Sequence, residues 1–137
     1  MKKLILSLSI LTTGILSAQN SSINVEVNNI KNSKGDIALA LYDSAKNFTK
    51  KEVKATKVRA KKGKVVVTFD NLPEGNYAIA ILHDENSNEK MDFNMLGIPK
   101  EDYGFSNNAK GVFAPPKFKD AAFKLNANET KKVKISL

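Results

Sequence analysis

The stretch His83-Asp84-Glu85-Asn86-Ser87-Asn88-Glu89-Lys90-Met91-Asp92 is the densest run of oxygen-bearing side chains in this chain of 137 residues. Asp84, Asn86, Asn88 and Asp92 fall at the first, third, fifth and ninth positions of a calcium loop counted from Asp84, and Lys90 at the seventh offers its backbone carbonyl. Calcium takes six to eight hard oxygens, and alternate residues of a tight turn can aim theirs at one centre. The pattern therefore predicts a structural Ca2+ loop at 84–94 that orders the surface loop over 84–116. It departs from the usual loop at Glu89, where a glycine makes the sixth-position bend, and at Met95, where a bidentate acid normally stands. The missing acid is expected from Glu85, Asp92, Glu101 or Asp102. With so few charges the affinity should be modest, about 10⁻⁴–10⁻³ M. The competing description is an Asn/Asp turn that bonds its own backbone.

His83 is the only histidine. It shares the strand face of Tyr77, Ile79 and Ile81, which suits a hydrogen-bonded structural histidine. Beside Asp84 it could alternatively act as a general base, and the carboxylates of 84–102 could in principle serve carbohydrate hydrolysis. No nucleophile is placed near it by sequence, so no catalytic residue is assigned. Downstream, Tyr103, Phe105 and Asn107 join His83 and Glu101 as a candidate ligand surface, mixing aromatic faces with polar groups. Together with Phe113 and Phe118, the aromatics equally suit a small core beneath the loop.

The elements that must hold this loop read as strands. Apolar and polar residues alternate through Ile23, Val25 and Val27, through Ile37 to Tyr42, through Val53 to Ala60, and through Val65, Val67 and Phe69. Alternation resumes from Asn76 to His83, at Ala121, Phe123 and Leu125, and at Val133, Ile135 and Leu137. The 53–60 and 64–69 runs, joined by Lys61-Lys62-Gly63, are expected to form a hairpin. Period two with turn residues between the runs predicts an all-β chain: a single Greek-key β-sandwich of about seven strands, immunoglobulin-like or prealbumin-like. Leu72-Pro73-Glu74-Gly75-Asn76-Tyr77 has the spacing of a tyrosine corner, which makes Tyr77 a fold determinant.

The first eighteen residues predict an address. Met1-Lys2-Lys3, an apolar run from Leu4 to Leu16 and the small pair Ser17-Ala18 make a signal peptide cut after Ala18, leaving one domain over 19–137. The run is shorter than the roughly 20 apolar residues that span a bilayer. The expected product is periplasmic or extracellular, with no integral membrane segment in its mature chain. The absence of cysteine excludes thiol chemistry, disulfides and cysteine-based metal sites.

Loss of Lys2 and Lys3 with the leader lowers the formal charge from +8 to +6. The charge lies in blocks. Residues 31–64 carry eleven basic and three acidic side chains, whereas 70–102 carry eight acidic and two basic. The lysine-rich 50–64 segment lacks the interleaved aromatics of a nucleic-acid surface and reads as a solvated, lysine-guarded sheet edge. No nucleic-acid partner is expected; an envelope glycan or protein is. An adhesion or envelope-scaffold role for that lysine face, and a carbohydrate-active enzyme built on His83, are the alternatives to a calcium-ordered binding module.

The runs Asn71-Leu72-Pro73-Glu74-Gly75-Asn76-Tyr77, His83-Asp84-Glu85-Asn86 with Asp92, Gly97-Ile98-Pro99-Lys100-Glu101 and Tyr103-Gly104-Phe105-Ser106-Asn107 resemble the bacterial domain-of-unknown-function family 2141. The resemblance implies an exported protein with no assigned activity, and a loop that usually carries glycine where this chain has Glu89. A weaker likeness, through Leu-Pro-x-Gly-x-Tyr and the Asp/Asn loop, is to Cna-B-like or carboxypeptidase-regulatory-like sandwich modules.

Overall fold

The computed structural model describes residues 21–137; the predicted leader and its cleavage point lie outside them. Two sheets pack face to face. In the first, β1 (Ser21–Ile30) is central, antiparallel to β4 (Gly63–Leu72) and parallel to β8 (Thr130–Ser136). In the second, β3 (Lys54–Arg59), β2 (Asp36–Tyr42), β5 (Gly75–Asp84) and β6 (Tyr103–Phe105) pair in that order, and β7 (Phe123–Leu125) pairs with the start of β5. The expected all-β sandwich is the observed fold, with one very short strand, β6, added.

Alternation decides which side of each strand faces the other sheet. Ile23, Val25 and Val27 meet Ile37, Leu39, Leu41, Ile79 and Ile81 in the main core, closed by Phe69, Leu125 and Ile135. Full burial of a Val, Leu, Ile or Phe side chain is worth about 1.5–3 kcal/mol, so this core dominates stability. The outer face of the second sheet is also apolar. There Tyr42, Phe48, Ala78, Phe105 and Ala121 form a second cluster with Phe118 packed on it. Phe48 sits edge-on to Tyr42, Phe105 and Phe118, with ring centroids 5.3–5.8 Å apart, the separation such pairs favour. The small residues of β2 and β5 leave room for this second layer.

The tyrosine corner forms as the spacing predicts: the Tyr77 hydroxyl donates to the Pro73 carbonyl at 2.8 Å.

The expected hairpin does not form. β3 and β4 belong to different sheets, so residues 60–62 arch between sheets. The β1–β2 connection makes the same crossing at the same end, and the two arches are tied together. Ala60 N–H donates to the Gly35 carbonyl at 3.1 Å, and Lys62 N–H to Ser33 Oγ at 2.8 Å. With β1 and β2 already in opposite sheets, each following strand pairs with its own central neighbour. The 121–125 strand is also shorter than predicted. Residues Phe118–Ala121 form one helical turn, α1, because Ser106 Oγ donates to the Ala121 carbonyl at 2.6 Å and the Asn107 amide binds the carbonyls of Asp120 and Ala122.

At the β6 edge the sheets approach closely. A Cβ on Gly104 would lie 2.8 Å from the Ser136 carbonyl oxygen. Only a residue without a side chain fits there.

Candidate functional site

The site is the loop between β5 and β6, and its first residues are fixed by the strand that delivers them. Asp36 pairs with Asp84 across the sheet, and Gly35 packs against the Asp84 backbone. A Cβ at Gly35 would stand 1.9 Å from the Asp84 carbonyl oxygen, and its φ of +62° is one that glycine adopts without strain. Strand alternation then sends His83 inward and Asp84 outward.

His83 is fully buried. One ring nitrogen, Nε2, lies 2.8 Å from the Lys34 carbonyl; Nδ1 is enclosed without a partner among the described residues. A ring with no exposed atom cannot reach a substrate in this conformation, so its visible work is to tie the β1–β2 arch to β5.

Asp84 is 3% exposed. Its Oδ1 accepts the Asn88 N–H at 3.1 Å and its Oδ2 the Glu89 N–H at 2.7 Å. Two Asx turns follow, Asn86 Oδ1 accepting Asn88 N–H at 3.1 Å and Asn88 Oδ1 accepting Lys90 N–H at 2.9 Å. Short polar side chains that bond the backbone two residues ahead fold such loops locally. Glu89, standing where a glycine is usual, adopts φ +63°. The sixth-position bend is therefore made without glycine.

The turns gather the predicted ligands. Asn86 Nδ2 donates to Asp92 Oδ2 at 2.6 Å, and Asn88 Nδ2 to Asp92 Oδ1 at 3.0 Å. Asp84, Asn86, Asn88 and Asp92 thus form one connected cluster, and the Lys90 peptide between them is oriented by Asn88. Each asparagine Oδ1 spends one lone pair on a turn amide and retains a second. Among the described residues no group of three His, Asp or Glu side chains is placed to hold a metal ion; this donor set is half carboxamide.

Glu101 fastens the loop through its backbone rather than as the further metal-ligating acid the pattern asks for. It is buried, and its Oε1 accepts the Glu85 N–H at 3.0 Å while its Oε2 accepts the Asp92 N–H at 3.2 Å. One carboxylate joins the second and ninth positions of the loop from nine residues beyond the latter. The sequence names Glu101 among four acids for a metal ligand, and carries no signal for this bond to two backbone amides.

Two contacts had no sequence signal. Ser87 Oγ donates to Asp36 Oδ2 at 2.8 Å, and Lys57 on β3 pairs with Glu89. Both lean the loop over the outer face of the second sheet. The Ser87 hydroxyl, followed by Arg59, holds the Asp36 carboxyl below its ordinary range. The hydrogen bond from Lys57 does the same for Glu89.

The candidate ligand surface is not one surface. His83, Glu101 and Phe105 are buried. Tyr103 is half exposed, and Asn107 is exposed but uses its amide on the α1 turn. Of the further aromatics, Phe118 joins the second cluster and Phe113 is wholly exposed. Tyr103 instead borders a cleft of about 560 Å³ with Asn29, Asn108, Lys110, Pro115 and Leu137. The basic residues of 50–64 are exposed along β3 and the adjoining connections, as a guarded edge requires. Among the described residues no helix is long and apolar enough to cross a membrane.

No curated protein and no solved structure matches this chain. A family model does, over residues 25–134, which takes in the sandwich, the corner and the whole loop. The match bears out the first of the two resemblances drawn from the sequence. The chain belongs to the DUF2141 family, described as an uncharacterized protein conserved in bacteria.

Proposed function

We propose that this protein is an exported β-sandwich binding module whose loop from Asp84 to Asp102 is ordered by calcium. The observation that carries the reading is the convergence of Asp84, Asn86, Asn88 and Asp92 on one another, folded by successive Asx turns with a left-handed residue at the sixth position. Alternating oxygens on such a turn suit a hard cation of flexible coordination. Asp84, Asn86, Asn88 and Asp92 would hold the ion, with the Lys90 carbonyl. Glu101 holds the two amides that keep the loop closed around it.

The ion supplies charge neutralisation, and the chain supplies the shape. With two carboxylates in the donor set, affinity falls in the range of about 10⁻⁴–10⁻³ M typical of extracellular modules. Such sites fill where calcium is millimolar, outside the cytoplasm. The export reading rests on the leader at 1–18, and N-terminal sequencing of the chain recovered from the cell envelope tests it.

Calorimetric titration with CaCl2, paired with melting curves in calcium and in chelator, tests the metal. A free calcium concentration tenfold above Kd should stabilise the fold by roughly 1.4 kcal/mol, and Asp92→Asn should reduce the shift. No heat and no chelator-dependent shift at millimolar calcium would remove the metal from the reading.

A further inference from the structure

Seven residues inside the loop, Phe93 to Pro99, are not used by the cation cluster. They form a closed hairpin of their own. Phe93 and Pro99 bridge, Asn94 N–H donates to the Ile98 carbonyl at 2.9 Å, and Gly97 N–H to the Asn94 carbonyl at 3.0 Å. The Asn94 side chain finishes the turn, its Oδ1 accepting Leu96 N–H at 2.8 Å and Ile98 N–H at 3.0 Å. Four of the tip's backbone donors are therefore satisfied within the tip itself.

What this frame displays is apolar. Met95 and Leu96 are 104% and 83% exposed, and Phe93 and Ile98 are each more than half exposed. A lone exposed leucine needs no explanation, but four neighbouring apolar side chains on one turn do. The charge around them is also unusual. Lys90 and Lys100, the only basic residues of the acidic 70–102 block, bracket this hairpin, and neither makes an ion pair among the described residues. Of the neighbouring acids, Glu89 pairs with Lys57 and Asp102 with Lys31, Asp92 accepts the side-chain amides of Asn86 and Asn88, and Glu101 accepts two backbone amides. Among the described residues, the unpaired cations that flank the tip are Lys90 and Lys100.

The geometry points to a bilayer-contacting tip: the Phe93–Pro99 hairpin inserts Met95 and Leu96 among the upper acyl chains of anionic phospholipid while Lys90 and Lys100 meet the headgroups. Backbone donors bonded within the turn lower the cost of entering a medium that offers none. Apolar side chains beside free lysines are the composition of an interfacial anchor on an anionic surface. A protein partner is the poorer fit, since a convex tip of four side chains is far short of the roughly 800 Å² each partner contributes to a stable interface. The inference goes beyond the calcium reading, because the hydrogen bonds of the tip run among its own residues.

The chain contains no tryptophan, so Leu96→Trp places a single reporter at the tip. With vesicles of equal parts phosphatidylglycerol and phosphatidylcholine, its emission should shift to the blue and be quenched by bromine-labelled acyl chains. Co-sedimentation of the unmodified protein should fall at least about tenfold in the double variant Met95→Asp, Leu96→Asp. It should also weaken in Lys90→Gln, Lys100→Gln and on vesicles of phosphatidylcholine alone. Melting temperatures of these exposed-site variants should stay unchanged. Sedimentation without quenching would overturn insertion in favour of adsorption through other lysines. No quenching, with self-association that Leu96→Asp abolishes, would overturn it in favour of a second copy covering the tip. Quenching in chelator, or only in calcium, supports the tip either way; failure of the calcium reading appears in the melting curves instead.

Discussion

The Glu101 carboxylate accepts the backbone N–H of Asp92 at 3.2 Å, and with its other oxygen bound to Glu85 N–H it closes the long loop onto its own beginning. A buried carboxylate with two backbone donors is a fastening that no turn sequence could supply, because its partners lie nine and sixteen residues away.

Removing that fastening should be costly. Glu101→Ala leaves two inward-facing amides without an acceptor, and we expect a loss of about 2–4 kcal/mol in urea unfolding. Glu101→Gln keeps one acceptor oxygen and should fall between. A loss under about 1 kcal/mol for the alanine variant would mean that water replaces the carboxylate.

Gly35 makes a sharper prediction. In Gly35→Ala the new methyl group would meet the Asp84 carbonyl oxygen at 1.9 Å and the Glu85 carbonyl carbon at 2.6 Å, at a φ of +62°. Both obstacles are backbone, so no side chain can swing aside. Destabilisation of about 3 kcal/mol or more is expected, with loss of any calcium-dependent shift in melting temperature. A variant melting like the wild type would show that the arch can move away from β5.

The Ser87–Asp36 contact should be visible in the pH dependence of stability. The folded-state pKa of Asp36 is lowered, first by the Ser87 hydroxyl and then by Arg59. A carboxylate depressed on folding contributes its stability above the unfolded value of about 3.9, and loses it as pH falls through the lower folded value. Ser87→Ala removes the larger cause. The difference in urea midpoint between wild type and variant should therefore be present at neutral pH and close below about pH 4. A difference unchanged in strong acid would assign it to packing.

Much of the fold was legible along the chain. Period-two alternation found the seven main runs, because a strand with one buried face must alternate. The tyrosine corner was readable because its hydrogen bond spans only Pro73 to Tyr77. The folding of residues 84–92 was readable for the same reason: Asx turns act two residues ahead. Pairing was not. The 53–60 and 64–69 runs look like a hairpin in sequence, and whether they pair depends on where β1 and β2 already lie.

By itself, then, the sequence determined the strand faces, the corner, the folding of residues 84–92 and the family. Each depends on residue type and short spacing. Only the tertiary structure decided that the His83 ring meets the Lys34 carbonyl, that Glu101 closes the loop through two backbone amides, that Ser87 reaches Asp36, and that Met95 and Leu96 stand uncovered at the tip. Each of these depends on segments brought together across the sheet or across the loop. Residue spacing carries no record of such distances until the sandwich has closed.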